Sequence, residues 1–149
     1  MPKRQKTKKP KITEEPNPNK TPKVSSPPPH FQGSVLSWRF NAVDKGGPFA
    51  WSAIPDSQTH QKIVERLANF ETMSESNLAQ AGCHAIELHK LCEEAQKRLT
   101  ELKLDDLDDI YSFRIRGEPR VFGVVRQNYV RVLWYDPNHK VCPSVKKNT

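Results

Sequence analysis

Apolar positions along the chain follow two periods, and the change from one to the other organises the molecule. Ile63, Leu67 and Phe70 recur at i, i+4 and i+7, with Val64 widening the stripe. That spacing predicts an amphipathic helix over 58–71, with Asp56 or Ser57 as its N-cap. Leu88, Leu91, Ala95, Leu99 and Leu102 repeat the spacing, while Glu93, Glu94, Lys97 and Arg98 occupy the other faces. A second helix is therefore expected over 90–103, with Glu94 and Arg98 adding an i, i+4 pair. Between them, the small polar residues 74–82 read as a loop or one loose turn.

After the acidic run Asp105-Asp106-Leu107-Asp108-Asp109 the period becomes two. Strands are predicted over 110–116, 120–126 and 129–135, separated by Gly117-Glu118-Pro119 and Gln127-Asn128. Joints this short force antiparallel neighbours, a β-meander. Asp136-Pro137-Asn138 reads as a turn and 139–142 as a short terminal strand. Ahead of the helices, 34–40 partly alternates as a strand and Gly46-Gly47-Pro48 punctuates it. Phe49, Trp51 and Ala53 share one face of a second strand, giving an N-terminal strand pair. The predicted architecture is α+β: two helices packed on an antiparallel β-meander, with the strand pair added.

Composition divides the chain once more. Residues 1–30 hold eight of the 13 prolines and eight Lys or Arg against two Glu, with Met1, Ile12 and Val24 as the only aliphatic side chains. Such a stretch buries too little apolar surface to offset the entropy of ordering it, so a disordered basic tail is expected, followed by a single domain over 31–149. Charge follows the same division: net +6 over 1–30, −5 over 31–109 and +6 over 110–149, for +7 in total. A polyanionic partner suits that polarity. No stretch approaches the roughly 18 apolar residues of a membrane span. No apolar segment follows the basic N-terminus as in a secretory signal. Three cysteines, Cys83, Cys92 and Cys142, form no Cys-x-x-Cys. These features point to a cytoplasmic protein with free thiols and no membrane partner.

The meander carries the candidate chemistry. Alternation places Arg114 and Arg116 opposite Tyr111, Phe113 and Ile115. Arg120, Phe122, Val124 and Arg126 fall opposite Val121, Gly123 and Val125. With Arg131, these arginines are expected to face outward as a cationic concave surface, and guanidinium is the group that grips phosphate bidentately. His139, beside Lys140, follows the third strand with a pKa suited to proton transfer. Trp38, Trp51 and Trp134 read as core. Cys83, His84, His89 and Cys92 match no zinc spacing, so buried thiols and surface imidazoles are expected, with no metal or cofactor.

The order helix, acidic corner, Tyr-Ser-Phe-Arg-Ile-Arg-Gly-Glu-Pro-Arg-Val-Phe-Gly-Val-Val, third strand and terminal histidine resembles the RelE/ParE toxin superfamily, with the YoeB-type endoribonucleases nearest. The resemblance spans 88–141. It implies ribosome-associated cleavage of messenger RNA without a metal, by attack of a 2′-hydroxyl on the adjacent phosphate. It further implies Glu118 as base or its orienter, Arg120 with Arg114 as phosphate stabilisers, and His139 as acid. Arg116, Arg126, Arg131 and Lys140 are expected to hold RNA phosphates, and an antitoxin protein is the implied partner. Two alternatives stay open: a ParE-like DNA gyrase inhibitor, and a non-catalytic RNA- or ribosome-binding module.

Limited proteolysis is expected to trim the chain to a stable core beginning near Phe31, with unchanged thermal unfolding. The trimmed form should lose salt-sensitive affinity for nucleic acid. Equal binding by both forms at low salt would leave the tail only a solubilising role.

Overall fold

The computed structural model describes residues 35–143, in which a short strand comes first and the last residues lie just beyond the meander. The elements are β1 (Ser37–Arg39), α1 (Ser57–Phe70), α2 (Glu75–Gln80), β2 (His84–Glu87), α3 (Glu93–Glu101), β3 (Asp109–Arg114), β4 (Arg120–Arg126) and β5 (Tyr129–Asp136). One sheet takes the order β1-β5-β4-β3-β2. The meander β3-β4-β5 is antiparallel as expected, β2 adds antiparallel to β3, and β1 lies parallel to β5. The α+β class holds. The tail expected over 1–30 lies outside the described residues, among which no helix is long and apolar enough to cross a membrane.

The first two helices start where a side chain satisfies their first amides, whereas no side chain caps α3. Asp56 accepts from the Thr59 amide at 2.7 Å, and Ile63, Leu67 and Phe70 are buried as their spacing demands, while Val64 stays exposed. Ser74 caps α2 in the same way through Asn77, and α2 then buries Leu78. The loop expected over 74–82 is therefore a short helix: one capping serine and one buried leucine suffice once α1 and the sheet are in place. The second predicted helix is shorter than expected. Leu88 belongs to a single 3-10 turn, Leu88–Lys90, and α3 begins only after Cys92, with Glu93 and Glu94 favourably placed at its positive end. His89 and Cys92 thus lie ahead of the regular helix rather than on one of its faces.

The largest departure concerns the sheet faces. Ile63, Leu67, Phe70 and Leu78 cover one face, against Phe113, Val121, Val125, Val130, Val132 and Tyr135. Ala95 and Leu99 of α3, with Phe49 and Leu91, cover the other, against Ile110, Phe122, Leu133 and Trp134. The open arginine-bearing face does not exist as such, because Phe122 and Trp134 occupy its centre and are buried there. Apolar side chains on both faces require a cover on both. A bulge makes this possible. Phe122 pairs with Trp134 but Gly123 pairs with Val132, so Leu133 is the extra residue. Leu133 and Trp134 then both face α3, and Tyr135 returns to the α1 side. Gly123 is required there, since a Cβ would stand 2.5 Å from Val130 Cγ1 and 2.9 Å from the Arg131 carbonyl oxygen.

The N-terminal strand pair also gives way to a different solution. Trp51–Ala53 is a 3-10 turn, and the segment after β1 is held by isolated bonds, Asp44 N to Leu133 O at 2.9 Å and Tyr135 N to Phe49 O at 3.2 Å. Asp44 organises this segment. Its buried carboxylate accepts Arg98 Nε at 2.9 Å, Arg98 Nη2 at 2.7 Å, Trp134 Nε1 at 2.9 Å and the Gly46 amide at 3.1 Å. Burial alone would raise the Asp44 pKa, but the hydrogen bonds from Arg98, Trp134 and Gly46, with the Arg98 charge, hold it below 3.8. Trp38 joins the opposite core, edge-on to Phe113 and donating to the Leu67 carbonyl at 3.0 Å. The strand expected over 139–142 is likewise absent, because the Asp136 carboxylate takes the amides of Lys140 and Val141 at 3.0 and 2.9 Å.

Asp44→Ala strands the buried Trp134 N–H and unpairs Arg98, so urea unfolding should show a loss of about 3 kcal/mol. In the wild type this contribution is complete above pH 3.8 and is lost as pH falls through the lower folded-state pKa. A variant as stable as wild type would remove Asp44 from the centre of the fold.

Candidate functional site

With both faces covered, polar chemistry is confined to the ends of the strands. At one end, Arg114 pairs with Arg120 across β3 and β4, and Arg120 pairs with Asp136 across β4 and β5. Directly opposed residues in a sheet project from the same face, so these three side chains form one row at the margin of the area that α3 covers.

Each arginine is anchored by the turn between β3 and β4. Arg114 Nε donates to the Gly117 carbonyl at 3.2 Å. Arg120 Nη1 donates to the same carbonyl and to those of Glu118 and Pro119, the last two at 2.8 and 3.2 Å. Arg120 Nε and Nη2 keep their donors free of protein acceptors among the described residues. Burial, then the neighbouring Arg114 charge, lowers the Arg120 pKa. The side chain nonetheless stays cationic at any physiological pH.

His139 sits in the turn after β5 with φ +56, a left-handed conformation uncommon outside glycine. That conformation costs on the order of 1–2 kcal/mol and persists because the buried Asp136 carboxylate fixes the amides on the far side of the turn. Partial burial is the first cause lowering the His139 pKa below 6.5, and the Arg120 charge is the second. Asp136 and Glu118 oppose the shift, and His84 adds to it. The imidazole is therefore mostly neutral at pH 7, within electrostatic reach of Arg120, Asp136, Glu118 and His84.

Of the expected residues, Glu118, Arg120 and His139 converge here with Arg114, although 21 positions separate the outer two in the sequence. Lys140 is exposed in the His139 turn, and Arg116 is exposed on the β3–β4 turn. Arg126 and Arg131 do not join them: Arg126 lies six residues along β4, about 20 Å away by strand rise. There Arg39 lies over the Tyr129 ring at 3.9 Å, and Arg39 pairs with Arg131. The single cationic surface expected from alternation is thus two clusters at opposite ends of the sheet. Asp136 and His84 join this site without a local sequence signal. Nothing in the local sequence marks a carboxylate buried by its own turn, or a β2 strand that brings His84 alongside β3. Arg66 of α1 also reaches this end, its Nε donating to the Arg114 carbonyl at 3.4 Å.

Cys83 is buried, and burial raises its pKa, so the thiol is held protonated. Among the described residues no group of three or more His, Cys, Asp or Glu is placed to hold a metal ion. No protein-family model matches the chain, and no curated protein or solved structure does either.

Because the folded-state pKa of His139 lies below its unfolded value of 6.5, the neutral ring adds stability above 6.5 that is lost as pH falls toward the folded value. A proton NMR titration of His139 should give a midpoint below 6.5, and Arg120→Gln should move it upward. A midpoint unmoved by that substitution would separate the two side chains.

Proposed function

We propose that the chain is an endoribonuclease of the kind its RelE/ParE resemblance implies, cleaving messenger RNA by attack of a 2′-hydroxyl on the adjacent phosphate, in association with the ribosome. The observation that carries this reading is the convergence of Glu118, Arg120 and a conformationally strained His139 on one sheet end, beside Arg114.

In this reading Glu118 removes or orients the 2′-hydroxyl proton as the oxygen attacks phosphorus. The free Nε and Nη2 of Arg120, with Arg114, stabilise the charge on the phosphorane oxygens. Fixed by the turn carbonyls, Arg120 needs little reorganisation as that charge develops, which is where a preorganised dipole or cation acts most strongly. His139 gives a proton to the departing 5′-oxygen, leaving a 2′,3′-cyclic phosphate on the upstream fragment. Its lowered pKa sets the alkaline limb: the rate should fall as pH rises through a value below 6.5. One observation favours the non-catalytic RNA-binding reading instead. Glu118 is exposed, and no hydrogen bond aims its carboxylate among the described residues.

Mapping of RNA ends after induced expression, with purified ribosomes in vitro, separates the two. Wild type should yield cyclic-phosphate ends in the presence of EDTA, and His139→Gln should slow cleavage by about 10²–10⁴-fold with binding nearly intact. Arg120→Ala should reduce turnover more than affinity. Binding without new ends would leave a binding module, and gyrase-linked DNA breaks with intact RNA would shift the function to gyrase inhibition.

A further inference from the structure

Lys62 and Arg66 stand one turn apart on α1, on the side that faces the β3–β4 turn. Between helix and turn runs a groove of about 430 Å³, lined by Thr59, Lys62, Ile63, Arg66, Arg116 and Tyr135 among others. Past Arg66 and Arg116 it continues into a depression of about 380 Å³ bounded by Arg114 and Gly117. Ile63, Ile115 and Pro119 give the groove apolar walls, and Lys62, Arg66, Arg116 and Arg114 line its length. Against these four cations the lining holds one carboxylate, Glu65, which already accepts from Gln61 Nε2 at 3.0 Å.

Two of the three guanidinium groups, those of Arg66 and Arg114, are aimed rather than loose. Arg66 Nε donates to the Arg114 carbonyl, and its head lies over the Phe70 ring at 4.6 Å. Arg114 Nε is held in turn by the Gly117 carbonyl. In both, the bond uses Nε and leaves the terminal nitrogens as a planar fork. Arg116 makes no hydrogen bond or ion pair among the described residues. Such forks match phosphate oxygens two at a time, and anchoring them beforehand reduces the side-chain entropy lost on binding.

We propose that this groove is a backbone track for single-stranded RNA, in which Lys62, Arg66 and Arg116 hold the phosphates of nucleotides flanking the scissile one and Arg114 joins the track to the His139 end. The proposal rests on the RNA reading above, and it assigns the substrate a path that leaves over α1 rather than across the covered sheet face. A row of cations along one groove is the arrangement that tracks the successive phosphates of a single strand.

The test uses the full chain carrying His139→Gln, so that RNA stays intact, and a fluorescein-labelled single-stranded RNA 12-mer of mixed sequence read by anisotropy from 50 to 200 mM salt. Arg66→Lys preserves charge but removes the anchored fork and should weaken binding about 3- to 10-fold with unchanged thermal unfolding. Lys62→Ala combined with Arg66→Ala should reduce the slope of log K against log salt by about 1.4, two contacts on a single strand. Lys97→Ala, an exposed cation on α3, serves as the charge control and should change affinity less than twofold. Equal losses from Lys97→Ala and the groove variants would overturn the track, as would groove variants that bind like the parent. Competition by a polyglutamate peptide as effective as unlabelled RNA would also overturn it, in favour of an acidic protein segment. Loss of binding in the groove variants, with no RNA cleavage by the wild type, would uphold the track and remove only the catalytic reading. Cleavage with groove variants that bind normally would do the reverse.

Discussion

The fold depends on how one buried carboxylate is satisfied. Asp44 follows β1 by five residues, far in sequence from both α3 and β5, yet it binds Arg98 in a fork and Trp134 through its indole N–H. A buried, unpaired carboxylate would be costly, so the loop, the helix and the strand must arrive together or not at all. Gly46 and Gly47 are fitted to this junction. A Cβ at Gly47, with φ +79, would stand 2.5 Å from Arg98 Nε. The interaction brings Phe49 against Trp134 at a ring separation of 5.5 Å and so helps to close the second face of the sheet.

Closing that face has a direct consequence for chemistry. A sheet open on one side offers a broad surface for a polymer, whereas this one offers only its ends and its flanking helices. The arginines of the meander are sorted accordingly. Those at strand termini beside the β3–β4 turn meet His139, Asp136 and the cations of α1, while Arg126 and Arg131 meet Arg39 and Tyr129 at the opposite end. The β3–β4 turn stands at the histidine end of the sheet, its Glu118 within electrostatic reach of His139. That geometry makes the turn carbonyls important: Gly117 O alone receives both Arg114 and Arg120.

The His139 turn joins stability to chemistry in a few residues. Asp136 is almost wholly buried because its oxygens face inward to the Lys140 and Val141 amides. That arrangement draws Val141 into the α3-side core and lets its carbonyl accept the Cys92 amide at 2.8 Å. The imidazole is left at the rim, where partial burial and the Arg120 charge disfavour its protonation. The same residues therefore hold the segment after β5 to α3 and leave His139 where its protonation is disfavoured.

Local features of the sequence determined α1, its Asp56 cap and its buried stripe, the meander with its two short joints, and the α+β class. These follow from periodicity and from turn lengths too short for anything but antiparallel neighbours. They also brought Glu118 and Arg120 into view, since a tight turn between strands keeps its residues together. Alternation instead predicted an open arginine face; the local trace of the double cover is the apolar run Val121-Phe122-Gly123-Val124-Val125, which departs from the alternation of a half-exposed strand. Strict alternation fails for β5 because the bulge at Leu133 reverses the faces, and a bulge is set by the partner strand and not by β5 alone. Only the tertiary structure decided that Asp44 reaches Arg98 and Trp134, that residues 49–53 turn instead of forming a strand, and that β2 and α2 exist. It also decided that Arg66 joins Arg114 and that His84 joins His139. Each of these depends on a contact between residues distant in the chain, whose energy appears only when both sides are in place.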